Sequence, residues 1–280
     1  MSKWNLVIDI ASCINCNNCV VAVKDEFEGN SFEGYSAPQP KHGHYWIDIE
    51  RRIRDAGPMV DAAYMPTMCN HCDKAPCIEA AADGAAYKRE DGIVMMDPEK
   101  SRGQRAIAKA CPYGAVTWNE ELDIPQTWFF DAHLLDQGWK EPRCVQACPT
   151  ASMTAMKVAD DEMARIVAEQ GLTVRNPDWG TRPRVYYRNL SLFVSCFIGG
   201  NVAVNVDGEE RNVGDAEVRL STGDTLVAET KTDLFGDFKF DGLDGDSGEY
   251  SVHVHHEAHG TAERQVTLGD SQYVELIVPS

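Results

Sequence analysis

No stretch of this 280-residue chain approaches the run of about 18 apolar residues that a membrane-spanning helix needs. Basic residues are scarce: 26 Lys and Arg stand against 44 Asp and Glu, a formal net charge of -18. Phosphate backbones and anionic lipid surfaces attract clustered Lys and Arg, so nucleic acid and membrane are excluded as partners. The start, Met1 to Asp9, lacks a signal peptide's charged start, apolar centre and small-residue cleavage site, and reads instead as a strand. No twin-arginine export signal is present, although a partner is free to carry one. The expectation is a cytoplasmic protein, in a reducing interior that suits free thiols. Also missing are a Ser/His/Asp grouping, a glycine-rich phosphate loop and carboxylates paired for acid–base work. On this reading the chain carries no catalytic residue.

What it does have is ten cysteines in short runs. Cys13, Cys16 and Cys19 form C-x2-C-x2-C. Cys69, Cys72 and Cys77 form C-x2-C-x4-C. Cys111 and Cys148 are each followed by proline, and Cys144 precedes Cys148 by three intervening residues. A run of three closely spaced thiolates wraps one face of a cubane cluster, and the fourth comes from the remote Cys-Pro of a partner run. Four runs therefore make two reciprocal modules with room for four clusters.

The gaps fall in order. Pairing the first run with the last gives one complete set, Cys13, Cys16, Cys19 and Cys148; its reciprocal is Val23, Trp128, Asp131 and Cys144, with a single thiol. Pairing the inner runs gives Cys69, Cys72, Cys77 and Cys111; its reciprocal is Ala81, Ser101, Gln104 and Ile107, with none. The expectation is two [4Fe-4S] clusters, one per module. Zinc also accepts four thiolates, but three cysteines within seven residues plus a distant Cys-Pro suit a cubane better. A disulfide framework belongs to short secreted chains. Asp131 could ligate iron; beside Val23 and Trp128 it reads rather as part of a core filling the vacated cavity, with Cys144 a buried free thiol. Cys196 gets the same reading.

Several strings carry a resemblance: Asp9-Ile10, Cys16-Asn17-Asn18-Cys19, Ile49-Glu50-Arg51-Arg52, Arg89-Glu90-Asp91-Gly92-Ile93-Val94, Cys111-Pro112-Tyr113-Gly114, Ala132-His133-Leu134-Leu135 and Pro183-Arg184-Val185-Tyr186-Tyr187. With the four runs, they resemble the iron–sulfur subunits of molybdopterin oxidoreductases of the dimethyl sulfoxide reductase type. Within that family the chain is similar to a transhydroxylase branch acting on hydroxylated aromatics. The resemblance implies a large catalytic partner holding a bis-pterin molybdenum or tungsten cofactor, in a heterodimer or a larger assembly. It also implies that the Cys13 set lies nearest that partner and the Cys69 set farthest, with the two missing clusters between. A wire lacking its centre conducts poorly, which suits a reaction without net redox change and clusters that are mainly structural. The alternative is an electron-transfer subunit of an aromatic hydroxylase or reductive dehydroxylase. His133, at a family position, is expected to donate to a backbone carbonyl or to the partner.

The expected fold class is α+β: a degenerate, tandem ferredoxin-like domain over residues 1–195, then an all-β sandwich over 196–280. One helix is expected from a cap at Asp160 or Asp161, through Met163, Ile166 and Val167, to a stop at Gly171. From Cys196 onward 17 acidic residues face five basic ones, so -12 of the -18 lies there. The order T-D-x-x-G-x-F-x-F, then G-x-Y-x-V-x-V, resembles a transthyretin-like or collagen-binding B-type sandwich, with Phe238, Phe240, Leu243, Tyr250, Val252 and Val254 inward. Such domains mostly bind or brace other proteins. His253, His255, His256 and His259 read as solvent-facing rather than as a metal site.

Overall fold

Strand Lys3–Asp9 is buried without alternation from Asn5 to Ile8 because it is the central strand of its sheet. Met153–Val158 pairs with it antiparallel on one side and Val185–Arg188 parallel on the other. The computed structural model describes all 280 residues and divides them into two units: residues 1–51 with 64–190, and residues 52–63 with 191–280. Residue order alone places 52–63 and 191–195 with the first domain instead. No helix is long and apolar enough to cross a membrane.

In the first unit a short helix accompanies each cysteine run. Asn18–Phe27 takes in Cys19 and Pro76–Glu79 takes in Cys77; Arg105–Lys109 leads to Cys111 and Arg143–Gln146 to Cys148. Between the inner runs lies the hairpin Ala86–Lys88 with Val94–Met96, and beyond Cys111 the hairpin Thr117–Asn119 with Ile124–Gln126. Helix Asp160–Gln170 buries Met163 and ends at Gly171, which takes the left-handed conformation. Its cap is Ala159, whose side chain makes no capping bond, and not Asp160 or Asp161. Those two acids with Glu162 fill the first turn, where they complement the helix dipole.

The second unit holds two four-stranded sheets around one core. In the first, Cys196–Val206 pairs with Asp237–Leu243 and Glu209–Asn212 antiparallel and with Gln272–Val278 parallel. The second runs Thr225–Lys231, Glu217–Thr222, Gly248–His256 and Gly260–Leu268, antiparallel throughout. Alternate residues point inward, so Phe238, Phe240, Tyr250, Val252 and Val254 join Ile198, Val218, Leu220 and Leu276 in the core. Gly200 permits the closest approach there: a Cβ would stand 2.2 Å from the Val274 carbonyl oxygen and 2.7 Å from the Phe238 ring. The hairpin tip, residues 52–63, belongs to this unit through Arg54. Its buried guanidinium pairs with Asp61 at 2.5 Å and Asp241 at 2.6 Å, Lys239 pairs with both acids, and Phe197 lies beneath the two cations.

Candidate functional site

Asp9 organises the first group of thiols. Its carboxylate accepts from Ala11 N–H at 3.1 Å and starts the turn Ile10–Ser12 that leads into Cys13. Its backbone N–H donates to the Ser152 carbonyl and its carbonyl accepts from the Ser152 hydroxyl, both at 2.8 Å. The Cys13 loop and the Cys148-Pro149 turn are thus fastened to one residue. Asn15 and Asn17, both at positive φ, coil the loop between the cysteines. Cys13, Cys16, Cys19 and Cys148 end within reach of one another's charge. Burial pushes the Cys19 thiol up to about 12, and its three neighbours push the same way. Burial acts on Cys148 too, but the Thr150 hydroxyl and the N–H groups of Met153, Thr150 and Ser152 outweigh it and draw that thiol below its usual value.

The second group is deeper. Cys69 follows the strand Met59–Met68, and Cys69, Cys72 and Cys77 share an apolar cluster with Ala75, Val94, Ile107 and Val116; Cys111 packs against it. Burial, then each other's charge, drives Cys69 far up and Cys77 to about 12. Cys72 reaches about 11, held back by a hydrogen bond from Thr181. Lone thiols in such places stay protonated; a polycationic core among them reverses that preference. All ten cysteines are free, and nowhere do three Cys, His, Asp or Glu side chains converge at the spacing of a single ion.

The reciprocal positions are packed with protein. Val23, Trp128, Asp131 and Cys144 are all buried. The Trp128 indole donates to Asp131 Oδ1 and the Arg143 N–H to Asp131 Oδ2, each at 2.8 Å. Both carboxylate oxygens are therefore engaged, and burial still raises the Asp131 pKa. Asp131 is not poised to ligate iron. Phe130 and Asp131 both sit at positive φ, a strained pair for bulky residues that these bonds hold in place. In the inner module Ile107 fills the space with its side chain, while Gln104 accepts from Ala82 N–H at 2.9 Å and donates to the Lys100 carbonyl at 2.7 Å. Gln104 joins by hydrogen bonds what a cluster would join by metal.

Sequence reasoning missed three neighbours of the second group. His71, inside C-x2-C, is buried at φ 45 and accepts from Val94 N–H through Nδ1 at 3.1 Å. Burial, with Lys88 and Arg184 nearby, lowers its pKa to about 3, so the ring is neutral with its proton on Nε2. Its ring lies 5.6 Å from that of Trp128. Lys88 donates to the carbonyls of His71 at 2.7 Å and Cys72 at 2.9 Å and pairs with Asp73. Thr181 lies beside Cys72. Only His71 had a signal, its place between two ligands. Within this chain His133 meets no backbone carbonyl: its Nε2 lies 2.8 Å from the Glu26 carboxylate, and Glu26 also pairs with Arg143.

Two sets of four free thiols, each including the cysteine of a Cys-Pro turn, on helices and hairpins repeated in tandem, define a ferredoxin-type iron–sulfur protein. The 4Fe-4S dicluster domain model matches residues 60–158. The chain is 42% identical to the pyrogallol hydroxytransferase small subunit of Pelobacter acidigallici over 279 residues, 99% of this chain and 98% of that one. It is 30% identical to a sulfite dehydrogenase subunit of Allochromatium vinosum, over 67% of this chain and 83% of that one. It is 29% identical to a tetrathionate reductase subunit of Salmonella typhimurium, over 70% and 77%. The chain therefore belongs to the iron–sulfur subunits of molybdopterin oxidoreductases, in the family of the pyrogallol hydroxytransferase small subunit.

Proposed function

We propose that this chain is the non-catalytic subunit of a molybdopterin enzyme that moves hydroxyl groups on a hydroxylated aromatic without net redox change. Cys13, Cys16, Cys19 and Cys148 hold one [4Fe-4S] cluster, and Cys69, Cys72, Cys77 and Cys111 hold the other. A large partner subunit carries the bis-pterin cofactor and the active site, in a cytoplasmic heterodimer. When bound, such clusters accept or donate single electrons and cross-link the segments that ligate them. The sandwich over 196–280 is of transthyretin or collagen-binding B type and braces the assembly.

The observation carrying this reading is that the reciprocal sets are occupied by other side chains: buried Trp128 and Asp131 in one module, buried Ile107 and a half-buried, hydrogen-bonded Gln104 in the other. Loss of one position from each module interrupts a chain of clusters while keeping a cross-link in both. Near-complete coverage of a hydroxytransferase small subunit supports the same conclusion. Iron and sulfide analysis is expected to give about eight irons on this subunit; sixteen would refute the assignment. Potentiometric titration followed by electron paramagnetic resonance tests the role. Reduction of both clusters by aromatic substrate within one turnover would overturn the structural reading.

A second reading, electron transfer to an outside carrier, is favoured by the relatives named as dehydrogenase and reductase subunits and by the packing of the outer site. The outer site is densely packed: Cys69 Sγ lies 3.7 Å from His71, whose ring centroid is 5.6 Å from that of Trp128, which is hydrogen-bonded to Asp131, and Cys144 feels the charge of both Asp131 and Cys19. The substrate-reduction experiment separates the two.

A further inference from the structure

We propose that the Lys88 ammonium clamps the Cys69–Cys72 loop and, by its charge, raises the reduction potential of the group held by Cys69, Cys72, Cys77 and Cys111. The proposal rests on reading those four thiols as one cluster's ligands.

The geometry is that of a clamp. Lys88 ends the strand Ala86–Lys88 and pairs with Val94 across the hairpin. Its Nζ donates to the His71 carbonyl at 2.7 Å and to the Cys72 carbonyl at 2.9 Å, and stands 3.0 Å from Asp73 Oδ1. Three consecutive residues of the loop thus take the three protons of one ammonium. From the facing strand the Val94 N–H donates to His71 Nδ1 at 3.1 Å. The hairpin therefore grips His71 by both its carbonyl and its ring. His71 sits at φ 45, a left-handed position that residues with a Cβ seldom take, and the two bonds hold it there.

The charge is not cancelled by its neighbour. Arg184, whose side chain is only 4% exposed, shares the Asp73 carboxylate: Nε donates to Oδ1 at 2.8 Å and Nη2 to Oδ2 at 2.6 Å. Arg184 also pairs with Asp160 at 3.0 Å, and Lys3 with Asp160 at 2.7 Å. Three cations face two carboxylates in this network, so one positive charge is left over. The Cys72 carbonyl and the Cys72 sulfur belong to one residue, which keeps the ammonium within a residue's breadth of a ligand atom. The Lys88 side chain is largely withdrawn from water, where charge is weakly screened. Adding an electron makes an iron–sulfur group more negative, and net charge around it sets its potential. A fixed cation beside the loop stabilises the reduced form. Lys88 is thus a positioning residue that acts through the backbone and its charge; no proton leaves it.

The test is a redox titration with dithionite and ferricyanide, followed by electron paramagnetic resonance, of the intact complex carrying Lys88→Gln, Lys88→Arg or Asp73→Asn. The relevant signal is assigned as the one lost in Cys111→Ala. Lys88→Gln keeps a donor without the charge, and is expected to lower that midpoint. At the wild-type midpoint potential its reduced fraction falls several-fold. Lys88→Arg keeps the charge and stays close to wild type, while Asp73→Asn removes a counter-charge and shifts the midpoint upward. The Cys13-set signal stays put in all three. An unmoved midpoint in Lys88→Gln with iron retained would overturn the proposal. So would an equal fall in Lys88→Arg and Lys88→Gln, which would assign the effect to shape rather than charge. If Lys88→Gln loses iron, Asp73→Asn decides: an upward shift supports the proposal, and any other result overturns it. About four irons in the wild type would instead refute the ligand reading itself.

Discussion

Between Cys69 and Cys111 no strand is longer than three residues and no helix longer than five. From Cys196 to Val278 the strands run from four to eleven residues and enclose a single apolar core. The difference lies in what closes each structure. A four-residue helix such as Pro76–Glu79 is far below the length at which helices persist alone in water. On the ligand assignment proposed above, metal ligation by Cys69, Cys72, Cys77 and Cys111 supplies the tie that two such helices and a three-residue hairpin lack, and it contributes folding free energy directly. The sandwich needs none: each buried Val, Leu or Phe contributes about 1.5–3 kcal/mol, and alternation directs nineteen residues inward.

The largest test of that contrast removes the tie. Cys77→Ala with Cys111→Ala is expected to lose about four irons and to abolish slow hydrogen exchange across residues 69–116. Exchange in strands Gly248–His256 and Gln272–Val278 should remain slow. Persisting protection around Cys69 would show that the apolar cluster suffices without metal.

Next in size is the buried Trp128–Asp131 pair. Trp128→Ala is expected to cost about 3–5 kcal/mol in denaturant unfolding of the first unit, from a large void and an orphaned Asp131 oxygen. The Cys13-set signal should survive. A cost near zero would mean that Trp128 merely occupies space the fold does not need. The matching change in the sandwich, Leu220→Ala, should cost about 2–5 kcal/mol with iron content unchanged.

The two units also differ in how much of each can be read from residue order. Alternation at Phe238, Phe240, Tyr250, Val252 and Val254 is a local signal, and the strands lie where it points. Cysteine spacing is likewise local, and so is the absence of thiols at Val23, Ala81 and Ile107. Contacts fixed by long-range packing leave no trace. Arg54 meets Asp241, Glu26 meets His133, and Lys88 meets the Cys72 carbonyl only because the backbone brings them together. That is why residue order does not show that the hairpin tip, 52–63, goes with the sandwich. A capping acid is expected at Asp160 or Asp161, yet Lys3 and Arg184 engage the Asp160 carboxylate and the helix begins after Ala159 without a side-chain cap.

The smallest effect concerns charge, which joins the hairpin tip to the sandwich through Arg54. Burial alone would raise the Asp61 and Asp241 carboxyls. Lys239 and Arg54 more than reverse this, and both acids lie below their ordinary value of 3.8 in the folded state. A carboxyl depressed on folding contributes stability that is present above the unfolded pKa and is lost as pH falls through the folded one. The stability difference between wild type and Asp241→Asn should therefore be full at neutral pH. It should shrink once pH drops through 3.8 and vanish below the folded value. Asp241 and Asp61 are about one-third exposed, so screening limits the effect to about 1 kcal/mol. Urea unfolding of the two proteins from neutral pH down into the acid range below the folded value measures it. A difference constant with pH would mean that the Arg54 pairing works through shape and hydrogen bonding rather than charge.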